Sequence, residues 1–309
     1  MLSDLDRQVA GQLQTTPRGS VASIAASLGQ PEHAVRAVFD RLTRSGALKV
    51  FAIVDPSAFG RPLVVGFRIT IEGDRDSVVR SLRDRPEVHW LTVIDDARTV
   101  LATANFADAQ DINAYAENVV RAIPGVGECS MFVYLEFEPI AYFTDSATRP
   151  PIRPSLDRSR AANLDELDLR LLTEFLRDAR ISYAKAGKNV GLSLSATRQR
   201  VMRLEESGTL RFRVLPDPFV LELHAAAMVS MRTVGSHNAI KEALRRLPGT
   251  TDLAETTGDY SLLVEFFAEE RSSLEAYIQS VLRIPGVRDI RTDIYREVVR
   301  DTGTWSPWL

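Results

Sequence analysis

The chain has 309 residues, 45% of them apolar and 26% charged, with a formal net charge of −3. That length calls for two or more domains with real cores, and no apolar run approaches the length of a membrane span. A single cysteine, Cys129, excludes an intrachain disulfide framework and leaves too little sulfur for a structural zinc site.

The N-terminus has no signal-peptide pattern, so a reducing cytoplasm is the expected compartment. Divided along the chain, the charge changes sign. Residues 1–54 carry six Lys/Arg against four Asp/Glu and residues 164–215 carry ten against seven, while 55–163 and 216–309 are each −4. Basic charge therefore gathers in two segments, as a nucleic-acid reader requires; solvated helix faces would look the same.

In chain order, Leu5, Val9 and Leu13 predict an amphipathic helix, and a second follows Ser20 through Ile24 and Leu28. Pro31 is expected at the first position of a third helix, whose core stripe is Val35, Val38, Phe39 and Leu42. His33, Arg36, Arg41 and Arg44 are left as outward donors. Beyond residue 54 the period changes from 3.6 to 2. Strands are expected at 63–71, 88–94, 99–106 and 126–137, and helices at 78–85 and 109–123. Residues 146–163, SATRPPIRPSLDRSRAAN, read as a stiff, extended linker.

The second half opens with Leu167, Leu171, Leu172 and Phe175 at helical spacing. Ser182 can cap a short helix that stops near Val190-Gly191. Ser193 can cap a third, with Val201 and Leu204 inward and Gly208 past its end. Ser195, Thr197, Arg198, Gln199 and Arg203 are placed outward, while Arg200 falls inward and is expected to pair with an acidic neighbour. Two helices joined by a four-residue turn, the second bearing donors, form the helix-turn-helix that lays a helix in the major groove.

The run LD-x-x-D at Leu164, Asp165 and Asp168, R-x-S at Arg180 and Ser182, GLS at 191–193 and R-x-x-RLE-x-x-G at 200–208 resembles the leucine-responsive regulatory protein/AsnC family. These are bacterial and archaeal transcription regulators. The resemblance covers about fifty residues and is specific as a set. It implies that Ser193, Ser195, Thr197, Arg198 and Arg203 face double-stranded DNA, with Arg36 and Arg41 as counterparts in the first copy. It also implies further homo-oligomerisation, to a dimer or higher.

Shifting the sequence by 162 (168 − 6) lays the first half on the second. Asp6 meets Asp168, Ser20 meets Ser182, Gly29 meets Gly191, Arg36 meets Arg198 and Arg41 meets Arg203. After one inserted residue, Ile123-Pro124-Gly125-Val126 meets Ile284-Pro285-Gly286-Val287. The expected architecture is therefore α+β and tandemly duplicated. It has a winged-helix or helix-turn-helix domain at 1–54, a ferredoxin-like βαββαβ domain at 60–145, the linker, a second helix-turn-helix domain at 164–215 and a second ferredoxin-like domain at 220–300. By the resemblance, the two effector sheets pack together as an intrachain pseudo-dimer. The first helix-turn-helix departs from the family pattern, with Gln30-Pro31 where the second has Leu192-Ser193. It reads either as a weaker DNA reader or as a unit kept for packing.

The family's effector domain binds small molecules, commonly amino acids, near the turn between its second and third strands. Thr257, Gly258 and Asp259 match that turn and are candidate ligand residues; a plain hairpin is the other reading. The first copy has Asp95-Asp96-Ala97-Arg98 there, without glycine. No cofactor, metal site or catalytic residue is expected, since His33, His89, His224 and His237 are scattered and no phosphate-binding glycine loop occurs. Two alternatives stay open. One is an enzyme resembling the sirohaem decarboxylases, which share this two-domain plan but place histidines on effector strands. The other is a metabolite-sensing protein that does not bind DNA.

Overall fold

In each half, three short helices are set by their caps. In the first half, Ser3 accepts from the Asp6 N–H and Asp6 accepts from the Ser3 N–H, a reciprocal box that starts α1 (Asp4–Thr15). Ser20 caps α2 (Val21–Leu28), and Gly29 ends it at φ +62°. Pro31 is the cap residue before α3 (Glu32–Arg44) rather than its first residue, one position earlier than expected; its ψ of 135° keeps it outside the helix. Helix α3 then buries Val35, Val38 and Leu42.

The computed structural model describes residues 2–140, 164–217 and 223–301. The expected linker at 146–163 lies outside them. The chain divides into two compact units, each drawing on both halves of the sequence. Within the described residues, the first unit holds 2–50, 135–140, 214–217 and 223–295, and the second holds 51–134, 164–213 and 296–301.

The second unit contains β2 (Leu63–Ile71), α4 (Arg75–Arg83), β3 (Val88–Ile94), β4 (Thr99–Phe106), α5 (Ala109–Tyr115) and most of β5 (Val126–Pro139). Its antiparallel order is β3-β4-β2-β5. Alternation puts Val65, Phe67, Val100, Ala102 and Leu91 on one face, where Val78 and Leu82 of α4 and Tyr115 cover them. Phe67, Phe106 and Tyr115 meet as an edge-on trio with centroids 5.2–5.9 Å apart. The helix expected to run to Ile123 changes to a π turn at Ala116–Val120, where the Arg121 N–H donates to the Ala116 carbonyl.

The first unit repeats the order with β7 (Ala225–Thr233), α9 (His237–Arg245), β8 (Thr250–Thr256), β9 (Leu262–Ala268), α10 (Arg271–Leu282) and β10 (Val287–Asp301). Its strand order is β8-β9-β7-β10. Ile240, Leu244, Leu274, Ile278 and Val281 cover Ala227, Val229, Val264 and Phe266. Three further helices belong to the second unit: α6 (Glu166–Arg177), α7 (Tyr183–Val190) and α8 (Leu194–Glu206).

Three features were not anticipated. Strand β5 outruns its expected end at Phe137, reaching Pro139, and β10 runs on past Tyr295 to Asp301. In the first unit the tail of β5 adjoins β8, with the Ile140 N–H on the Thr251 carbonyl at 2.8 Å. In the second unit the tail of β10 adjoins β3, with the Thr92 hydroxyl on the Glu297 carbonyl at 2.8 Å. Finally, β1 (Leu48–Val54) pairs with β6 (Leu210–Pro216), so neither helical segment builds a wing as a hairpin of its own.

Candidate DNA-reading face and effector turn

Helix α8 is carried on a core of Leu171, Leu172, Phe175, Ala186, Val190, Val201 and Leu204. Phe175 meets Phe212 and Tyr183 edge-on, with centroids 5.5 and 6.0 Å away. The turn between α7 and α8 is tight because Gly187 has no side chain: a Cβ there would lie 2.2 Å from Thr197 Oγ1 and 3.0 Å from the Leu192 carbonyl. Gly191, at φ +83°, turns the chain out of α7, and Ser193 accepts the Ala196 N–H at 3.2 Å to start α8.

A buried carboxylate fixes α8 to α6. Asp168 is fully buried, accepts the Asp165 N–H at 3.2 Å, and receives Arg200 Nη1 at 2.8 Å and Arg203 Nη2. Arg200 also reaches Asp165 at 2.7 Å; that hydrogen bond and the one from the Asp168 backbone hold the Asp165 carboxyl below its usual range. Arg200 thus pairs inward, as its helical position required. In the first half of the chain Asp6 is likewise buried and receives Arg41.

These contacts correct the expected reading set. Thr197 is fully buried and its hydroxyl donates to the Ser193 carbonyl at 2.9 Å, so it does not face outward. Arg203 and Arg41 are tied to buried carboxylates and anchor their helices. The Ser193 hydroxyl serves as the helix cap. Ser195 and Arg198 remain exposed, joined by Gln199, Leu194 and Met202, and by Lys185 and Lys188 on α7. The Arg198 guanidinium has no ion pair among the described residues.

In the first half of the chain Arg36 pairs with Glu32 at 2.5 Å and Arg44 with Asp40 at 3.2 Å. Residues 21–44 carry three Lys/Arg against two Asp/Glu, a balance of +1; the equivalent 183–206 carry five against two, or +3. The two faces are unequal in both net charge and availability.

The turn at 257–259 is an open hairpin. Gly258 takes φ +96°, and the Thr256 hydroxyl donates to the Tyr260 carbonyl at 2.8 Å. Thr257, Gly258 and Asp259 are all exposed, and Asp259 pairs with Arg232 at 3.6 Å. Tyr260 carries Arg291 at 4.4 Å and Arg232 at 5.2 Å over its ring. In the first half of the chain Ala97 takes the left-handed conformation (φ +56°), and Asp96 accepts from the Arg98 and Thr99 N–H groups and the Thr99 hydroxyl.

Three polar groupings gave no sequence signal. Lys241 on α9 donates to Glu136 at 2.7 Å and Glu255 at 2.5 Å; burial alone would lower its pKa, but those carboxylates raise it. Arg245 grips Glu138 with two hydrogen bonds of 2.6 and 2.7 Å. His89 is buried against Asn105 at 3.0 Å, and that burial lowers its pKa to about 4. Among the described residues no cluster of His, Cys, Asp and Glu is arranged for a metal ion, and no helix is long and apolar enough to cross a membrane.

Comparison with known proteins assigns these segments. Residues 164–205 match the AsnC-type helix-turn-helix domain and residues 225–305 the Lrp/AsnC ligand binding domain. The leucine-responsive regulatory protein of Haemophilus influenzae is 29% identical over 153 residues, 48% of this chain and 92% of its own length. HTH-type transcriptional regulator FL11 of Pyrococcus horikoshii is 26% identical over 141 residues, 45% of this chain and 93% of its own. Along the whole chain the fold is similar to the crystal structure of the siroheme decarboxylase NirDL, with TM-score 0.59, 14% identity, and 99% and 94% of the two chains covered. Residues 164–305 thus carry an AsnC-type helix-turn-helix domain followed by an Lrp/AsnC ligand binding domain, and the relatives they match are transcription regulators.

Proposed function

We propose that this regulator reads duplex DNA mainly through the face of residues 183–206, with Arg198, Gln199 and Ser195 toward base edges and Lys185 and Lys188 toward phosphates. The observation that carries this reading is the +3 balance of that segment around an exposed Arg198 with no ion pair among the described residues, against +1 in residues 21–44, where Glu32 and Asp40 flank Arg36. Lysine and arginine there release counterions and set register, while a bidentate arginine–guanine contact discriminates by about 1–3 kcal/mol. The matched ligand binding domain supports control by a small metabolite such as an amino acid, with Thr257, Gly258 and Asp259 as candidate contacts.

The two halves are read as a tandem duplication, a lopsided pair on one chain, with the domain boundaries given above. The offset of 162 supports this in detail. Ser20 and Ser182 both cap, Gly29 and Gly191 both turn left-handed, and Asp6 and Asp168 are both buried. The Asp55 N–H on the Thr209 carbonyl and the Asp217 N–H on the Ala47 carbonyl are equivalent bonds, each within one unit. The single extra residue of the first half is accommodated by its π turn.

A gel-shift series over increasing salt, using duplexes enriched from a random pool by the full chain, tests the reading. Arg198→Ala is expected to weaken binding roughly fivefold to a hundredfold, and Arg36→Ala clearly less. Absence of salt-sensitive duplex binding, or the reverse order of the two variants, refutes it. The whole-chain likeness to a siroheme decarboxylase favours one second reading, a tetrapyrrole-binding enzyme. A porphyrin absorption band that shifts when the full chain is added would support that alternative.

A further inference from the structure

Helix α8 exposes two large apolar side chains that its fold does not use. Leu194 is 43% exposed and Met202 57%, two of the six large apolar side chains that stand exposed among the described residues. They lie four residues either side of Arg198, so the three follow one line along the helix surface, with Ser195 and Gln199 beside them. Under the offset of 162, the first copy has Glu32 where the second has Leu194, and Asp40 where it has Met202. Both acids are ion-paired one turn on, to Arg36 and Arg44. One face is thus apolar around its arginine, and the other acidic around the equivalent arginine.

We propose that Leu194 and Met202 are specificity residues that pack on the 5-methyl groups of thymines flanking the base pair read by Arg198. The inference rests on the DNA-reading face proposed above and names the sequence class that face selects. In the major groove thymine is the only base presenting a methyl group, and an apolar side chain is what recognises it. The occupant is duplex DNA rather than a protein because the same face carries Lys185, Lys188 and Arg198, all exposed and cationic. Glu32 and Asp40 fit neither a methyl group nor a neighbouring phosphate, so the first copy cannot share this readout.

The test uses the full chain and duplexes enriched by it from a random pool, with each flanking thymine then replaced by uracil, which lacks only the methyl. Removing one buried methyl should weaken binding roughly fourfold. In Leu194→Ala or Met202→Ala, thymine and uracil duplexes should bind alike at the corresponding position, while the salt dependence stays that of the unmodified chain. Both side chains are exposed, so neither variant disturbs the core. Equal binding of thymine and uracil duplexes by the unmodified chain, or a preference that survives both substitutions, overturns the inference and leaves the reading face standing. A chain that binds no duplex overturns both.

Discussion

Asp168→Ala should be the most disruptive single change outside the hydrophobic cores. The carboxylate is fully buried, accepts a backbone N–H of the α6 cap and holds two arginines of α8. Removing one member of a buried charge cluster costs about 3–5 kcal/mol when the other stays dry. Here the orphaned groups are partly wet, with Arg200 24% and Arg203 54% exposed, so water recovers part of that loss. With the lost cap bond included, a destabilisation of about 3 kcal/mol remains. That corresponds to a midpoint lowered by roughly 6–12 °C in thermal melts followed by circular dichroism. Asp6→Ala is the matched control. Asp6 accepts the matching cap N–H from Ser3 but holds one arginine rather than two, and that one, Arg41, is 59% exposed, so its loss should cost about 1–2 kcal/mol. If Asp168→Ala melts within about 2 °C of the unmodified chain, or if Asp6→Ala costs more, the buried carboxylate is not what anchors α8.

Gly187→Ala should destabilise the second helical segment by about 1–3 kcal/mol, because the new methyl meets Thr197 Oγ1 at 2.2 Å. Thr197→Ala in the same chain should restore part of it, and thermal melts of the two variants decide. The buried His89 sets an acid-side dependence: its pKa is lowered from 6.5 to about 4, so the unfolded chain binds the extra proton first as pH falls. Stability from this group is complete above pH 6.5 and drains away down to about pH 4, by roughly 3 kcal/mol at most. Urea midpoints across that range should flatten in His89→Gln, and an unchanged slope would remove His89 as the cause.

The strands and their starts were legible because period-two alternation sets in sharply after Pro-Gly and Gly turns, as at Pro124-Gly125 and Pro285-Gly286. Helix caps at Ser20, Ser182 and Ser193 were legible for a similar reason: the cap residue's own chemistry marks the boundary. The strand tails were missed because Glu138-Pro139 and Arg296-Glu297 read as solvated ends, whereas their pairing depends on an edge supplied from the other half of the chain. Thr197 was misplaced because a hydroxyl suggests an outward face. Its burial depends on Gly187, ten residues earlier, leaving a notch, and on a carbonyl one turn back accepting the hydroxyl. Arg203 was read as a free donor because its partner Asp168 is 35 residues away, beyond any local spacing rule.

Under the proposed duplication Arg36 and Arg198 occupy the same place, so position alone would not separate a reading arginine from a silent one. Nor can the ion pair to Glu32 by itself. An exposed i,i+4 pair is worth about 0.2–0.5 kcal/mol, less than the 1–3 kcal/mol an arginine gains from a guanine. On those magnitudes DNA would win Arg36 away from Glu32. What remains is the local field. Glu32 and Asp40 bring two negative charges to the surface that must approach phosphates, and their repulsion persists after Arg36 has swung away. At the equivalent places Leu194 and Met202 carry no charge. The asymmetry therefore resides in the neighbours of the arginine, one helical turn to either side, more than in the arginine itself.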